Sequence, residues 1–397
     1  MKFAHLADCH IGGWREPKLR DINHKAFSKA VDMCIESSVD FVLIAGDLFD
    51  TASPGHDSLM LAVTKLRKLK DKNIPVYVAA GSHDFSPSGK TILDVLETAG
   101  LLTNVARADL VDDKLSLVFT VDKKTSCLIA GLPGRKGMLD RSYYESLDRD
   151  IKEKGFKVFV FHTCITEYKP EKDMDSVPIS ILPKGFDYYA GGHVHYVFSK
   201  KEEDFGIVAF PGPCFPNNFK ELEDLGSGGF YLFEDGKLEW QPVNVINTLS
   251  ITLDCNNRSA DDVENSILPQ LKNKELNDTV VTIRLHGTLA NGKPSDINYR
   301  SIFDACYAKS AYFVMKNTNK LCAKGFEEVK VEKASVEDIE SALVAEHAGQ
   351  SGIFSKDKEA EMISCLMRVL SLDKAESEKV ADFNKRLGLE VSRLLGD

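Results

Sequence analysis

Phe41-Val42-Leu43-Ile44-Ala45-Gly46-Asp47-Leu48-Phe49-Asp50 begins as an apolar run too short for a helix and closes on a glycine and two acids. Residues 41–44 read as a short strand buried on both faces, with Gly46-Asp47 at its carboxyl end. The same punctuation recurs along the first ~240 residues. Apolar runs at 2–6, 76–79, 126–129, 158–161 and 188–191 read as further strands. Segments 22–37 and 58–70 lie between the early strands and carry apolar residues at helical spacing. Alternating strands and helices make βαβ units, hence a layered α/β domain around a largely buried sheet. A hairpin of 229–233 and 237–241 around Asp235-Gly236 closes the region.

The composition bounds the class. A chain of 397 residues with 43% hydrophobic and 28% charged content reads as a globular protein of two or three domains. No window approaches the ~20 consecutive apolar residues of a membrane span. The opening Met1-Lys2-Phe3-Ala4-His5-Leu6-Ala7-Asp8 lacks the apolar core of a secretory signal. Nine cysteines, an odd number with no C-x-x-C spacing, argue against a disulfide scaffold or a thiolate zinc site. They point to a reducing, intracellular compartment. The net charge of -10 excludes a nucleic-acid footprint spread over the whole surface. A role on DNA then needs a local basic region or a bound ion that supplies positive charge.

The texture changes near residue 248. Strands at 250–253, 280–285 and 311–314, with helices at 260–271 and 301–307, read as a small α+β domain. Beyond Gly325 the pattern is helical over 336–348, 358–370 and 374–395, with Asp373 as N-cap of the last. The expected division is 1–245, 246–328 and 329–397.

The residues with chemistry sit at the carboxyl ends of the expected strands. They are Asp8 and His10, Asp47, His83 and Asp84 beside Ser82, His162, and His193 and His195. Ligands in open α/β sheets bind outside those ends, where loops distant in sequence converge. Imidazole nitrogens combined with carboxylate oxygens suit manganese, iron or zinc better than calcium. Two such ions ~3.5–4 Å apart can clamp both oxygens of a phosphoryl transfer. Gly46, Gly81 and Gly192 read as turn residues that leave room for substrate. Taken singly, each block has an ordinary reading. His162 is a satisfied core histidine, Asp47 a helix N-cap, and His193-Val194-His195 a surface pair. Five blocks in this order, each with small neighbours, favour the metal site. His5, His24, His56, His286 and His347 fall outside the blocks and read as structural or surface residues. Neither a P-loop nor a G-x-S-x-G elbow is present, and 131–137 reads as a basic loop.

With D-x-H, G-D, G-x-H-D, H and G-H-x-H in that order, the first ~240 residues resemble the calcineurin-like dinuclear metallophosphoesterases. Within them, Ala7–Gly13, Ala45–Pro54 and Pro211–Phe219 resemble the SbcD-type or meiotic-recombination-eleven nucleases of double-strand-break repair. The resemblance implies an α/β fold: a layered β-sandwich flanked by helices, plus a small α+β capping domain and a C-terminal helical segment. It also implies a manganese-dependent DNA exo- and endonuclease that acts on DNA ends. The implied assembly is a homodimer whose C-terminal helices dock on an SMC-like coiled-coil ATPase, with no membrane association. Carried over, Asp8, His10 and His195 would hold the first of two manganese ions and Asp47 would bridge. His162, His193 and the residue at 82 would hold the second. His83 would be the catalytic histidine, oriented by Asp84. Two positions depart from the pattern. Ser82 stands where the family has Asn, which implies a weaker second site. Asp50 stands where archaeal and eukaryotic members often carry His. Arg15, Lys18, Arg20, Lys90, Arg135, Lys136, Lys200 and Lys201 are candidates to receive the DNA backbone. The alternatives are a small-molecule phosphodiesterase or phosphatase of the same superfamily, favoured by the acidic balance, and a catalytically weakened DNA-end-binding scaffold, favoured by Ser82.

Overall fold

The computed structural model describes residues 1–86, 90–149, 151–324, 356–372, 374 and 380–395. They form two compact units, Met1–Ala323 and Lys324–Asp397.

The first unit opens with β1 (Lys2–Leu6), α1 (Pro17–Glu36), β2 (Phe41–Ala45), α2 (His56–Asp71), β3 (Val76–Ala79), α3 (Ile92–Thr98) and β4 (Thr103–Asn104). A small hairpin, β5 (Ala108–Val111) and β6 (Lys114–Leu117), leads to β7 (Thr120–Val121) and β8 (Leu128–Gly131). Next come α4 (Arg141–Glu145), β9 (Lys157–His162), β10 (Tyr188–Gly192), β11 (Phe198–Glu202), β12 (Gly206–Phe210) and α5 (Phe219–Leu225). The hairpin β13 (Gly228–Glu234) and β14 (Lys237–Val243) returns to the first sheet. The two six-stranded sheets run β14-β13-β1-β2-β3-β4 and β11-β12-β10-β9-β8-β7.

Alternation along the strands builds the layers. Phe3, Phe41, Tyr77 and Phe233 of one sheet meet Val158, Val160 and Tyr188 of the other in a shared core. Phe3 stacks on Phe41 at 5.0 Å and on Phe233 at 4.6 Å. The intervening Leu6, Val42, Ile44 and Val78 face outward onto Ile22 and Phe27 of α1 and Leu66 of α2. Both faces of the sheet are therefore buried, which is why 41–44 reads as an unbroken apolar run. Of the two roles left open for His5, structural or surface, the fold gives it the first, in the core. Its Nδ1 lies 2.9 Å from the Tyr188 hydroxyl, and burial pushes its pKa down to about 3.

Some boundaries differ from expectation. Pro17 at the first helical position starts α1 five residues early, and the Glu16 carboxylate accepts the Lys18 N–H at 3.4 Å. The strand expected from 126 starts at Leu128, because Asp122 accepts the Thr125 N–H at 2.8 Å and Ser126 turns at φ 61°.

Residues 246–323 belong to the same compact unit. They fold as β15 (Asn247–Asp254), α6 (Ala260–Leu271), β16 (Thr279–Leu289), α7 (Tyr299–Tyr307) and β17 (Phe313–Ala323), a parallel sheet in the order β15-β16-β17. β17 outruns the expected strand because its polar half, from Lys316 to Lys320, carries no apolar signal.

In the second unit α8 (Lys356–Leu370) and α9 (Val380–Leu395) pack on each other. The helix expected over 336–348 and the cap at Asp373 lie outside the described residues. Among the described residues no helix is long and apolar enough to cross a membrane.

Candidate metal centre

Parallel β1, β2 and β3, and β9 and β10 in the facing sheet, end on the same side of the sandwich. The loops beyond β1 and β2 are laced together. The Asp8 N–H donates to the Gly46 carbonyl at 3.1 Å, and the His10 N–H donates to the Asp47 carbonyl at 3.0 Å. Asp8, His10, Asp47 and His193 all hold left-handed backbone, with φ of 49°, 42°, 50° and 86°. Such conformations are costly for non-glycine residues and gather at functional sites.

The glycines serve the ligands rather than a substrate. A Cβ at Gly46 would sit 2.1 Å from His162 Nδ1, at Gly81 2.2 Å from Asp47 Oδ1, and at Gly192 1.9 Å from the Ala45 carbonyl oxygen. The space expected for substrate at these three positions is filled by the protein itself. Of the three, only Gly46 also needs positive φ, at 83°.

Three groups of donor atoms converge within 4.8 Å: Asp8, His10 and His195; Asp8, Asp47 and His162; and His10, Asp50 and His83. The first two contain the expected ligands of each ion except His193 and Ser82, and Asp8 is common to both. The His193 ring is exposed at the rim and lies 5.2 Å from the His162 ring, while its backbone N–H donates to the Asp8 carboxylate at 3.0 Å. Ser82 is buried in the turn before His83, and its side chain makes no hydrogen bond among the described residues.

The donor set fits divalent metal. The His162 Nδ1–H donates to the Ala45 carbonyl at 2.8 Å, which aims Nε2 at Asp47 Oδ2 3.2 Å away. That buried Nε2 has no hydrogen-bond partner. The His195 Nδ1–H donates to Glu221 Oε1 at 2.8 Å, leaving Nε2 only 3.1 Å from His10 Nε2 and 3.5 Å from Asp8 Oδ1. Lone pairs directed at one another are held together by a cation placed between them. A carboxylate behind a histidine is the usual means of fixing a ligand ring. Without metal, protons play that part. Burial works against ionisation of Asp47, yet the nearby His162 and His10 hold its pKa far below the carboxylate range. Burial lowers the His162 pKa, but Asp47 outweighs it and lifts the value to about 9. Metal binding displaces these protons.

His83 Nδ1 lies 2.6 Å from the Asp50 carbonyl oxygen, and the His83 backbone N–H donates to Asp47 Oδ1 at 2.7 Å. The orienting role expected of Asp84 falls instead to the Asp50 backbone. Asp84 accepts from the N–H groups of Leu48, Phe49 and Gly81 at 3.3, 3.2 and 3.0 Å and so pins the two loops to each other. Burial and the Asp47 charge lift its pKa to about 6.

Sequence reasoning missed Glu221 and Asn217. Asn217 donates to Asp50 Oδ1 at 3.2 Å, and its backbone N–H donates to Glu221 Oε2 at 2.7 Å. The Pro211–Phe219 stretch that resembles the nucleases was the available signal for Asn217; Glu221 lies beyond it.

The strand-end histidines and aspartates, the strained loops and the sandwich define a calcineurin-like phosphoesterase, and residues 1–197 match that family. The chain belongs to it. Similarity within the family runs to proteins named DNA double-strand break repair protein Mre11. That of Methanopyrus kandleri is 30% identical over 259 residues, 62% of this chain and 57% of the relative. That of Methanococcus maripaludis is 29% identical over 320 residues, 77% of this chain and 78% of the relative. The one from Sulfolobus acidocaldarius is 26% identical over 303 residues, 73% and 76%. The chain thus spans from 57% to 78% of the length of these curated relatives.

Proposed function

We propose that the chain is a manganese-dependent DNA exo- and endonuclease subunit of a double-strand-break repair complex. The observation that carries this is the pair of three-donor groups sharing Asp8, built on the fold of the Mre11-named relatives. Asp8, His10 and His195 would hold one ion, His162, His193 and Ser82 would hold the other, and Asp47 would be shared by both. Bound metal supplies Lewis acidity toward the phosphoester. The protein's own residues do the rest. Glu221 fixes the His195 ring, and the Ala45 carbonyl fixes the His162 ring. His83, anchored through Nδ1 to the Asp50 carbonyl, leaves Nε2 for proton transfer at the leaving oxygen. Asp84 keeps the loops of Asp47 and His83 in register.

The proposed division is a nuclease domain at 1–245, a capping domain at 246–328 and a partner-binding segment at 329–397. The capping region is poised to line a DNA groove. The C-terminal helices supply the surface for an SMC-like coiled-coil ATPase, and two chains form the homodimer. The chain works in the intracellular compartment that holds the DNA.

A second reading, a small-molecule phosphodiesterase, draws on the net charge of -10. Parallel assays on duplex DNA ends and on bis-p-nitrophenyl phosphate in manganese separate the two. Cleavage of both supports the nuclease, and hydrolysis of the small ester alone supports the second reading.

A further inference from the structure

Two loops already engaged by the metal centre carry a further arrangement at their outer ends. One runs Gly81-Ser82-His83-Asp84-Phe85 after β3, and the other Leu132-Pro133-Gly134-Arg135 after β8. They are joined at the base, where the Gly134 N–H donates to the Ala80 carbonyl at 2.8 Å. Gly134 presses on the centre itself: a Cβ there would lie 2.4 Å from the His162 carbonyl oxygen and 2.7 Å from its ring. Arg135 therefore follows a residue in contact with His162, and Phe85 stands two residues beyond His83.

The Arg135 guanidinium lies 4.3 Å from the centroid of the Phe85 ring and 5.5 Å from that of Tyr143. Phe85 is 37% exposed, although it sits beside a polar site. Arg135 makes no hydrogen bond or ion pair among the described residues. Two of the other basic candidates are committed elsewhere. Lys200 is paired with Glu202 at 2.6 Å, and Lys18 donates to the Tyr312 carbonyl at 3.3 Å. Arg135 combines an aromatic bed with a guanidinium that no carboxylate among the described residues pairs directly, although its charge acts on the nearby Asp140.

Stacking uses the flat faces of a guanidinium and leaves its N–H edge free, and that edge matches two phosphate oxygens. The rings hold the side chain in one orientation, so less freedom is lost when it binds. A phosphomonoester ends at the reacting phosphorus, whereas a polynucleotide continues past it. We propose that Arg135, lying over the Phe85 and Tyr143 rings, is a subsite for the phosphodiester next to the scissile one in a polynucleotide strand. The subsite rests on the nuclease reading and deepens it: it selects a chain of phosphodiesters over an isolated phosphoester.

The test compares wild type, Arg135→Ala, Arg135→Lys, Phe85→Ala and the double variant Phe85→Ala/Arg135→Ala in manganese. The substrates are a short duplex and bis-p-nitrophenyl phosphate, which has only one phosphate. Arg135→Ala should raise KM for the duplex roughly 10- to 100-fold, the loss expected for a charged hydrogen-bonded contact. The loss in kcat/KM on DNA should exceed that on the small ester by at least about tenfold. Lysine should restore only part, because it neither stacks nor forks. The salt slope of DNA binding should fall by about one. Phe85→Ala should cost little more once Arg135 is gone. Equal losses on both substrates, or full rescue by lysine with an unchanged salt slope, would overturn the subsite. A wild-type protein that hydrolyses the small ester and leaves DNA intact would overturn the nuclease reading, and the subsite with it.

Discussion

His83 is held from one side of its ring. Nδ1 meets the Asp50 carbonyl, and the backbone N–H meets Asp47, so Nε2 is the atom left for proton transfer. The ring is absent from the two donor groups proposed to hold metal. His83→Ala should therefore keep metal content and folding while lowering kcat by ~100- to 10,000-fold, the range for a positioned acid. Elemental analysis beside steady-state rates checks this; activity within a few-fold of wild type would remove His83 from the chemistry. Ser82 behaves oppositely. Its hydroxyl is closer to its own backbone than an Asn amide oxygen would be, while a ligand oxygen must stand ~2.0–2.2 Å from the ion. Ser82→Asn should shift the manganese titration of activity to lower concentration and raise occupancy of the His162 site. An unchanged curve would show that position 82 does not limit the chemistry.

At the scale of elements, the loops that carry the proposed ligands were legible and the side chains that support them were not. Asp8, His10, Asp47, His83, His162 and His195 stand where apolar runs end, and strand period and residue type place all of them. Glu221 gives no such signal. It lies in the first turn of α5, a seven-residue helix capped by Asn218, and reaches His195 only once β10 and α5 are folded together. Asp84 was legible as a site residue, but its role was not, because a carboxylate that accepts three backbone N–H groups looks in sequence like one aimed at a neighbouring ring. α5 is itself gripped from the parallel sheet. Arg284 of β16 clasps Glu223 at 2.9 and 3.0 Å and lies over the Phe219 ring at 5.1 Å. Glu221→Ala should weaken manganese binding at the His10–His195 pair by ~10- to 100-fold, as loss of a carboxylate behind a ligand histidine does. Calorimetric titration of metal-stripped protein measures it directly. Wild-type affinity in that variant would mean that the His195 ring is fixed by other contacts.

For the whole molecule, the proposed chemistry and the proposed assembly fall in different units. All proposed ligands fall in Met1–Ala323, and the paired helices α8 and α9 fall in Lys324–Asp397. Leu370 and Leu389 are 63% and 55% exposed on those helices, and the proposed coiled-coil partner would cover them in the helix-in-groove mode. Removing residues 356–397 should abolish co-purification with the ATPase partner while sparing cleavage of short DNA. A truncated chain that is insoluble or metal-free would instead assign the helices to the stability of the nuclease. The amphipathic pattern of the helices was readable from sequence. What covers them was not, because an apolar stripe has the same spacing whether it meets its own domain or another chain.

The central claim is a shared two-ion centre that cuts DNA, and Asp47 tests it most directly. Its Oδ2 lies 3.2 Å from His162 Nε2 and 3.8 Å from His10 Nε2, between the two halves of the site. The decisive measurement is manganese stoichiometry of metal-stripped and reloaded protein, read together with duplex-end cleavage, for wild type and Asp47→Ala. The account predicts two ions and cleavage in wild type, and the loss of both ions and of cleavage in the variant. Two tightly bound ions in Asp47→Ala, or DNA cleavage by stripped protein in chelator, would contradict it.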